Sequence, residues 1–218
     1  MYAVSSPSTR AAGAKPDGRK VNADNTRAAL QREAHRLFGE LGYEATALGQ
    51  ICSASGATTG ALYHHFGDKK ALFAAVAEAL DANLVALAEQ ASAHILAAGG
   101  GPWAAFLAGI DAVLQAGSSA PGRRIGLTDA PAVLGADRWL AIRERHGLGA
   151  MTRSVQALQA AGLMRQGDPV RQARVILGML YGAMEALPQD AAVMPPALVE
   201  TQQLVHAMLQ AMRPAGVS

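Results

Sequence analysis

The chain is poor in the residues that would support a disulfide framework, a β-rich fold or a strongly charged surface. It has one cysteine among 218 residues, so no disulfide can form within it, which suits a reducing compartment. Aromatic residues make up 5% of the chain. The net charge is only +2, so a surface that binds nucleic acid would have to be a local patch of positive charge. We find no apolar run long enough to span a bilayer and no signal-peptide core, so we expect a cytoplasmic protein without a membrane partner.

What the chain has in excess is alanine and leucine. Half of its residues are hydrophobic and its length suffices for a sizeable core, which predicts an all-α fold. Composition sets apart a flexible basic tail (1–22), and the GGGP stretch that follows residue 98 is a second break, beyond which lysines are few. For the tail we favour a solvated extension, and a basic arm that contacts DNA phosphates is the alternative.

Residues 46–66, TALGQICSASGATTGALYHHF, have the pattern of two short helices joined by a tight turn. Thr46 can cap the first helix with its hydroxyl, and Thr58 can cap the second. Gly56 can adopt the positive φ that a turn between crossed helices needs. Cys52 lies on an apolar face, where we expect an inert buried thiol. Two helices around such a turn are typical of a DNA-binding helix-turn-helix.

Longer helices are predicted on both sides of this motif. A first helix covers about 25–40, and a long helix capped by Asp68 runs from Lys69 to about residue 91. Further helices are predicted at 102–117, 123–130, 136–161, 168–187 and 195–212.

Residues 24–84 are similar to the N-terminal domain of the tetracycline-repressor (TetR) family of transcription regulators. The resemblance rests on an amphipathic helix ending in LFGELGYEAT, on the turn and helix ATTGALYHHF, and on GDKKALF at the start of the next helix. It implies a three-helix, helix-turn-helix DNA-binding domain (23–83) followed by a larger helical ligand-binding and dimerisation domain (84–218). The second half resembles the family in length, helical character and position, and in RRIGLTDAPAVLG followed by RW.

The resemblance and the chemistry of DNA binding indicate one set of contact residues. Hydroxyl, imidazole and ammonium groups can reach phosphates, and small residues let a helix approach base edges. In the family a lysine at the start of the fourth helix holds phosphate. Each residue also has a purely structural alternative, such as helix capping for the threonines. The predicted DNA-binding residues are Thr46, Thr58, Thr59, Gly60, Ala61, Tyr63, His64 and Lys69.

Two positions depart from the family's pattern. Many members carry a basic residue where Thr59 stands, and a basic or polar side chain where Gly49 stands. Thr59 can still contact a thymine methyl group or hydrogen-bond a base, whereas Gly49 offers no side chain. We therefore expect sparse direct base readout, with specificity resting more on DNA shape or on the N-terminal arm.

In the larger domain, family members enclose a pocket for a small and often apolar molecule. The resemblance therefore implies an unknown small-molecule effector here, although core packing is the simpler interpretation of each apolar candidate. Arg123, Arg124 and Asp129 are candidate polar anchors, for which we favour a solvated face. The candidate pocket residues are Trp103, Phe106, Trp139, Met151, Met164 and Met179.

The last two predicted helices carry few charges. After Arg174 the only basic side chains are His206 and Arg213. Family members dimerise through a four-helix bundle built from such helices, and burial within one protomer is the alternative. The predicted homodimer residues are Val175, Ile176, Leu180, Met184, Leu198, Val205, Met208 and Met212.

Neither a metal site nor an enzyme is predicted. The six histidines are dispersed, no Cys–His cluster has ligand spacing, and GGG at 99–101 is a linker. We expect no cofactor and no catalytic residue. The leading hypothesis is a ligand-responsive regulator, most simply a repressor, that binds a palindromic DNA operator as a homodimer. The alternative is a helical small-molecule-binding or enzymatic protein with a vestigial helix-turn-helix.

Overall fold

The computed structural model describes residues 18–188, 190 and 192–216. Every regular element in these ranges is a helix, so the predicted all-α fold is confirmed for the described part of the chain. Residues 1–17 of the predicted tail lie outside it, whereas residues 18–22 form the start of the first helix. The alternative of a DNA-contacting arm therefore stays a prediction.

Three helices build the small N-terminal domain: α1 (Gly18–Leu41), α2 (Leu48–Ser55) and α3 (Thr59–Phe66). One apolar cluster fills the space between them and the start of the next helix, and it continues into buried residues between 125 and 142. Tyr43 closes this cluster, with its ring centroid 5.0 Å from that of Phe73. Because apolar burial is the main driving force of folding, this cluster sets the orientation of α3. Its fully buried members include Leu30, Ala34, Phe38, Ile51, Leu62, Leu72 and Phe73.

The prediction that Thr46 caps α2 is wrong. Ala47 holds the cap position, and its backbone N–H donates to the side-chain oxygen of Gln50 at 2.9 Å. Thr46 is buried, and its hydroxyl donates to the carbonyl oxygen of Gly42 at 2.7 Å. Carbonyl groups at the end of a helix lack helical partners, and the threonine satisfies one of them just after α1.

The other local signals of the motif are confirmed. Gly56 has φ +70°, the left-handed conformation that the turn between α2 and α3 requires. The hydroxyl of Thr58 accepts from a backbone N–H three residues on, at 3.1 Å, and the carboxylate of Asp68 does the same for the following helix at 2.6 Å. Cys52 is buried in the apolar cluster. Short-range capping and turn chemistry therefore sets the bounds of α3 and the start of the next helix.

The long helix α4 (Lys69–Ala97) joins the two domains and ends later than predicted. By length and composition alone, α4 could cross a bilayer, which contradicts the prediction that no apolar run is long enough to do so. It packs on α1 at its start and along α5 (Pro102–Gly117) for much of its length. The core helix of a soluble protein has the same composition, because its neighbours take the place of lipid.

The C-terminal domain adds six helical segments to α4 and α5. Its apolar core lies between α5 and the last segments, with Leu114, Val155, Ile176 and Leu209 fully buried. The segments are α6 (Ala120–Arg123), α7 (Ala130–Leu134), α8 (Ala136–Arg143), α9 (Gly149–Ala160), α10 (Pro169–Ala186) and α11 (Met194–Gln210).

Two helices that we predicted as continuous, 123–130 and 136–161, contain π-helical turns at Arg124–Asp129 and Glu144–Leu148. Each turn includes a buried glycine. A Cβ added at Gly126 would lie 3.5 Å from Leu80, and one at Gly147 would lie 3.6 Å from the hydroxyl of Tyr181. These are ordinary van der Waals distances, so the turns pack beside α4 and α10 without requiring glycine there. Such turns are frequent at functional sites.

The segment from α6 to α7 ties the two domains together. The carboxylate of Asp129 accepts from the backbone N–H of Tyr43 at 2.9 Å, and the guanidinium of Arg124 donates to the carbonyl of Glu40. Arg123 donates to the carbonyls of Leu187 and Pro188, which lie within the C-terminal domain. The favoured solvated face is therefore wrong for Arg123 and Asp129, which are part-buried in these bonds. Arg124 is exposed, as expected, although it bonds to Glu40.

Candidate DNA interface and ligand cavity

The outer face of α3 is open to solvent. Thr59, Gly60, Tyr63 and His64 are exposed, and Tyr63 retains 52% of its accessible surface. On the opposite face Leu62 is fully buried. The cluster beneath α3 therefore holds the helix by one side and leaves small and hydrogen-bonding residues on the other, as a helix that enters a major groove needs.

Three of the eight predicted DNA-binding residues have other partners. Thr46 is buried beside the end of α1, so its side chain is not available to phosphate. The hydroxyl of Thr58 caps α3, although the residue is exposed. The ammonium of Lys69 lies 4.4 Å from the ring centroid of Tyr43 and donates to the carbonyl of Glu44 at 3.3 Å. Lys69 therefore sits at the edge of the α3 face with donor capacity left for an anion.

Two basic residues beside α3 were missing from our prediction. The guanidinium of Arg27 on α1 lies 5.2 Å from the ring centroid of Phe66, and Lys70 is exposed next to Lys69. Lys70 was adjacent to a predicted residue and was within reach of sequence reasoning. The position of Arg27 depends on how α1 crosses α3, which no local pattern indicates.

The C-terminal domain encloses a cavity of about 300 Å³ between α4, α5, α9 and α10. This volume is within the range of small-molecule sites. Two of the six predicted pocket residues, Phe106 and Met151, are on its wall. The apolar part of the wall includes Leu84, Val85, Ala88, Phe106, Ile110, Val113, Met151, Leu177 and Leu180.

The other four predicted pocket residues lie elsewhere. Trp139 lines a much smaller cavity next to the first, and Met164 is buried in the core of the C-terminal domain. Trp103 packs on Phe106, with ring centroids 5.7 Å apart. Met179 is two residues from Leu177, which does reach the cavity, so at roughly 100° per residue it lies on the far side of α10. For these four, the simpler interpretation as packing residues fits their positions.

Sequence reasoning missed a polar cluster at the inner end of the cavity. Asp81 on α4 is 4% exposed, and it lines both cavities with Tyr181 of α10. The guanidinium of Arg143 lies 3.7 Å from the Tyr181 ring centroid and 4.7 Å from that of Trp139. The available signal was an acidic residue inside the apolar run LFAAVAEALDANLVAL, which also carries Glu78 three residues before it.

Burial controls the ionisation of this cluster. It raises the pKa of the Asp81 carboxyl to about 6, although the positive charge of Arg143 and the ring of His146 act in the opposite direction. Burial also raises the pKa of Tyr181 above its ordinary range and lowers that of Arg143. Perturbed groups in a cavity are characteristic of binding sites.

Most of the predicted dimer residues face the interior of their own protomer. Ile176, Leu180, Met184, Leu198 and Val205 are buried in the C-terminal core, because α10 and α11 use these faces to pack on α5 and α9. They are not available to a partner, and Met212 packs against the same core. Of the predicted residues, only Val175 and Met208 are exposed, at 62% and 52%.

An exposed apolar strip nevertheless runs along these two helices. Leu204 and Met208 are one turn apart on α11, and both are more than half exposed. On α10, Val175 is followed by Gly178 and Gly182, and a Cβ added at either glycine would have no atom within 4 Å. Glycines on an exposed helical face allow a second helix to approach closely.

Both domains match family models. Residues 31–76 match the family described as "Bacterial regulatory proteins, tetR family", and residues 103–212 match "Tetracyclin repressor-like, C-terminal domain". The first match contains α2 and α3, and the second contains helices that line the cavity.

Curated relatives are similar over the small domain. The chain is 42% identical over 65 residues to the HTH-type transcriptional regulator AcrR of Shigella flexneri, and 42% identical over 67 residues to the HTH-type transcriptional repressor AcnR of Corynebacterium glutamicum. These alignments cover 30% and 31% of this chain, and 30% and 32% of the relatives. The chain thus matches less than a third of the length of either relative.

Solved structures are similar over nearly the whole chain. A TetR-family transcriptional regulator from Pectobacterium atrosepticum is 30% identical with a TM-score of 0.72, and the alignment covers 89% of this chain and 97% of that one. A structure from Mesorhizobium loti has the same fold at 18% identity, with a TM-score of 0.65 and coverages of 85% and 97%.

Proposed function

The chain belongs to the TetR family of transcriptional regulators, and from that premise we propose that it is a cytoplasmic repressor released from its operator by a small molecule. The observation that carries the proposal is the outward face of α3. One side of α3 is buried against the apolar cluster. The opposite side presents Thr59, Gly60, Tyr63 and His64 to solvent. In this proposal Tyr63, His64 and Lys69 contact phosphates, while Thr59 contacts a base edge.

A homodimer would present α3 twice. The exposed strip of Val175, Leu204 and Met208, with the glycines of α10, supports an interface in which α10 and α11 of two protomers form a four-helix bundle. A two-fold dimer binds a palindromic operator when its two reading helices are about 34–36 Å apart, which is one turn of DNA. The interface proposed here replaces the buried residues of the sequence prediction with exposed ones on the same helices.

The segment from α6 to α7 supports a route by which a ligand changes DNA binding. On one side Asp129 and Pro121 contact the small domain, and a Cβ added at Gly39 of α1 would lie only 2.5 Å from Pro121. On the other side Gly126 lines the small cavity beside Asp81. A ligand that binds more tightly to a conformation in which the two α3 helices of the dimer are not spaced for DNA shifts the protein toward that conformation. A difference of about 3 kcal/mol weakens DNA binding roughly a hundredfold.

The test is binding to labelled duplex DNA from the region beside the protein's own gene, followed by fluorescence anisotropy. We expect tight binding that falls steeply with salt, by roughly a thousandfold between about 50 and 200 mM if six phosphates are contacted. His64→Ala should weaken this binding, whereas the control His94→Ala, an exposed histidine at the far end of α4, should not. Salt-independent binding or no binding to any DNA, with turnover of a small molecule, would instead favour a vestigial motif.

A further inference from the structure

We infer that the cavity binds an apolar amine, whose protonated nitrogen donates to the carboxylate of Asp81. The inference depends on the proposed function only for its regulatory consequence, because binding to the cavity can be measured without DNA. It names the chemical class of the effector, which neither the fold nor the relatives specify.

The first observation is an unsatisfied acceptor. Among the described residues, the Oδ2 atom of Asp81 has no hydrogen-bond partner, although the residue is only 4% exposed. A buried carboxylate oxygen without a donor is costly, so such atoms are rare unless a ligand or water supplies the donor. Asp81 lines the first cavity, so a molecule there lies next to its carboxyl group, and Oδ2, which has almost no accessible surface, has to turn toward that molecule to accept a hydrogen bond.

The second observation is the shape of the backbone around this oxygen. Gly147 lies opposite Asp81 in the π-helical turn between α8 and α9. A Cβ added there would lie 3.9 Å from Oδ2 of Asp81 and 3.6 Å from the Tyr181 hydroxyl. A side chain at this position would contact both groups, so the glycine leaves the space beside them free.

The positively charged groups near Asp81 leave its Oδ2 atom without a hydrogen bond. Arg143 faces the carboxylate but stacks on Tyr181 and Trp139, and its NH2 group donates to the carbonyl of Gly126 at 3.3 Å. His146 faces it as well, but its Nε2 lies 3.1 Å from Glu78. Neither of these groups makes a hydrogen bond with Oδ2 of Asp81, which is thus left for an incoming donor.

The remaining charged residues of the cavity wall sit on its exposed side. Glu89 and Arg153 face each other at 3.4 Å, and both side chains are more than half exposed. With this pair balanced, Asp81 is the remaining charged residue of this wall, whereas Arg143, which acts on it electrostatically, lines the smaller cavity. The rest of the wall is mostly aliphatic or aromatic, so it suits an apolar body attached to the nitrogen. A ligand carboxylate in the same place would face Asp81 at close range, and like charges disfavour that arrangement.

Three probes with one skeleton test the inference: 4-phenylbutylamine, 4-phenylbutanol and 4-phenylbutyrate, each titrated calorimetrically into the full chain without DNA near neutral pH. We expect the amine to bind at least tenfold more tightly than the alcohol, and the carboxylate to bind most weakly. Asp81→Asn should weaken amine binding by roughly ten- to a hundredfold, because a charge-assisted hydrogen bond is lost, and should change alcohol binding much less. The matched control is Asp111→Asn, which alters an aspartate of α5 that pairs with His206 and is absent from the cavity wall.

Several results would overturn the inference. These are equal binding of the amine and the alcohol, tighter binding of the carboxylate, absence of amine binding, or an unchanged amine affinity in Asp81→Asn. The same probes added to a protein–DNA complex separate this inference from the proposed function. Amine binding that depends on Asp81 but leaves DNA bound would support the site and contradict ligand release. Release of DNA by the alcohol and the amine alike would support ligand release and contradict the role of Asp81.

Discussion

The two domains differ in how completely their side chains fill the space between the helices. In the small domain, α1, α2 and α3 enclose a filled apolar cluster, and the hydrogen-bonding groups of the motif point outward. In the C-terminal domain, α4, α5, α9 and α10 leave a cavity open, and the polar cluster of Asp81, Arg143 and Tyr181 points inward. A rigid domain suits the presentation of a reading helix, whereas a domain with unfilled space and an unsatisfied acceptor suits a small ligand. The comparison predicts that equivalent substitutions have unequal effects in the two regions.

The largest difference should come from removing leucine side chains. Leu62→Ala removes a fully buried side chain from the filled cluster, so we expect it to lower the free energy of unfolding by about 2–5 kcal/mol. Leu84→Ala, on the half-buried cavity wall, should lower it by about 1 kcal/mol, because the space beside it is already open. Urea titrations followed by circular dichroism measure both values. An equal decrease in the free energy of unfolding for both variants would contradict the distinction between a filled and an unfilled domain.

Asp81→Asn should stabilise the free protein at neutral pH. The pKa of Asp81 rises from an ordinary value of 3.8 to about 6 on folding, which is equivalent to about 3 kcal/mol. Because folding favours the protonated form, this cost is absent below about pH 4, grows as the pH rises toward 6, and is constant above that. The variant should therefore gain stability over the wild type only as the pH rises, by about 1–3 kcal/mol at pH 8. Melting temperatures measured from pH 4 to pH 8 would contradict this if the difference between the two proteins did not change.

On the DNA-facing side, Tyr63→Phe removes one hydroxyl from the exposed face of α3. We expect binding to weaken by about 1 kcal/mol, or roughly fivefold, on every DNA sequence, since phosphates are common to all of them. Thr59→Ala is the contrasting variant, because it should change the preference among sequences more than the average affinity. Anisotropy with the operator and with several single-base variants measures both effects. A sequence-selective loss for Tyr63→Phe would show that the phenol contacts a base.

The smallest effect concerns the departure from the family pattern on α2. Gly49 is exposed, and a Cβ added there would meet no atom within 4 Å. Gly49→Ala should therefore stabilise the small domain by about 0.5–1 kcal/mol, since alanine is the better helix former. If DNA affinity stays the same while the melting temperature rises, Gly49 is not in contact with DNA. Loss of affinity would indicate that the α2 backbone approaches DNA closely at this position.

Features that depend on residues close together in the sequence could be predicted, whereas features that depend on contacts between distant segments could not. Thr58, Asp68 and Gly56 were placed correctly, because capping and turn conformation depend on residues within one helical turn. Thr46 was misplaced because carbonyls at the end of α1 competed for its hydroxyl. In the C-terminal domain, the orientation of each helix depends on distant partners, so apolar character did not separate cavity wall from core. Asp81 could have been singled out by its charge within an apolar helix, but its unpartnered oxygen required the structure.

The most direct test of the account is a hydroxyl-radical footprint of the protein on the DNA beside its own gene. We predict two protected patches related by two-fold symmetry and centred about 34–36 Å apart, one for each α3. The protection should fade on addition of the effector. A single patch, patches at another spacing, or protection that persists in a variant with an altered α3 face would contradict the assignment of α3 as the reading helix.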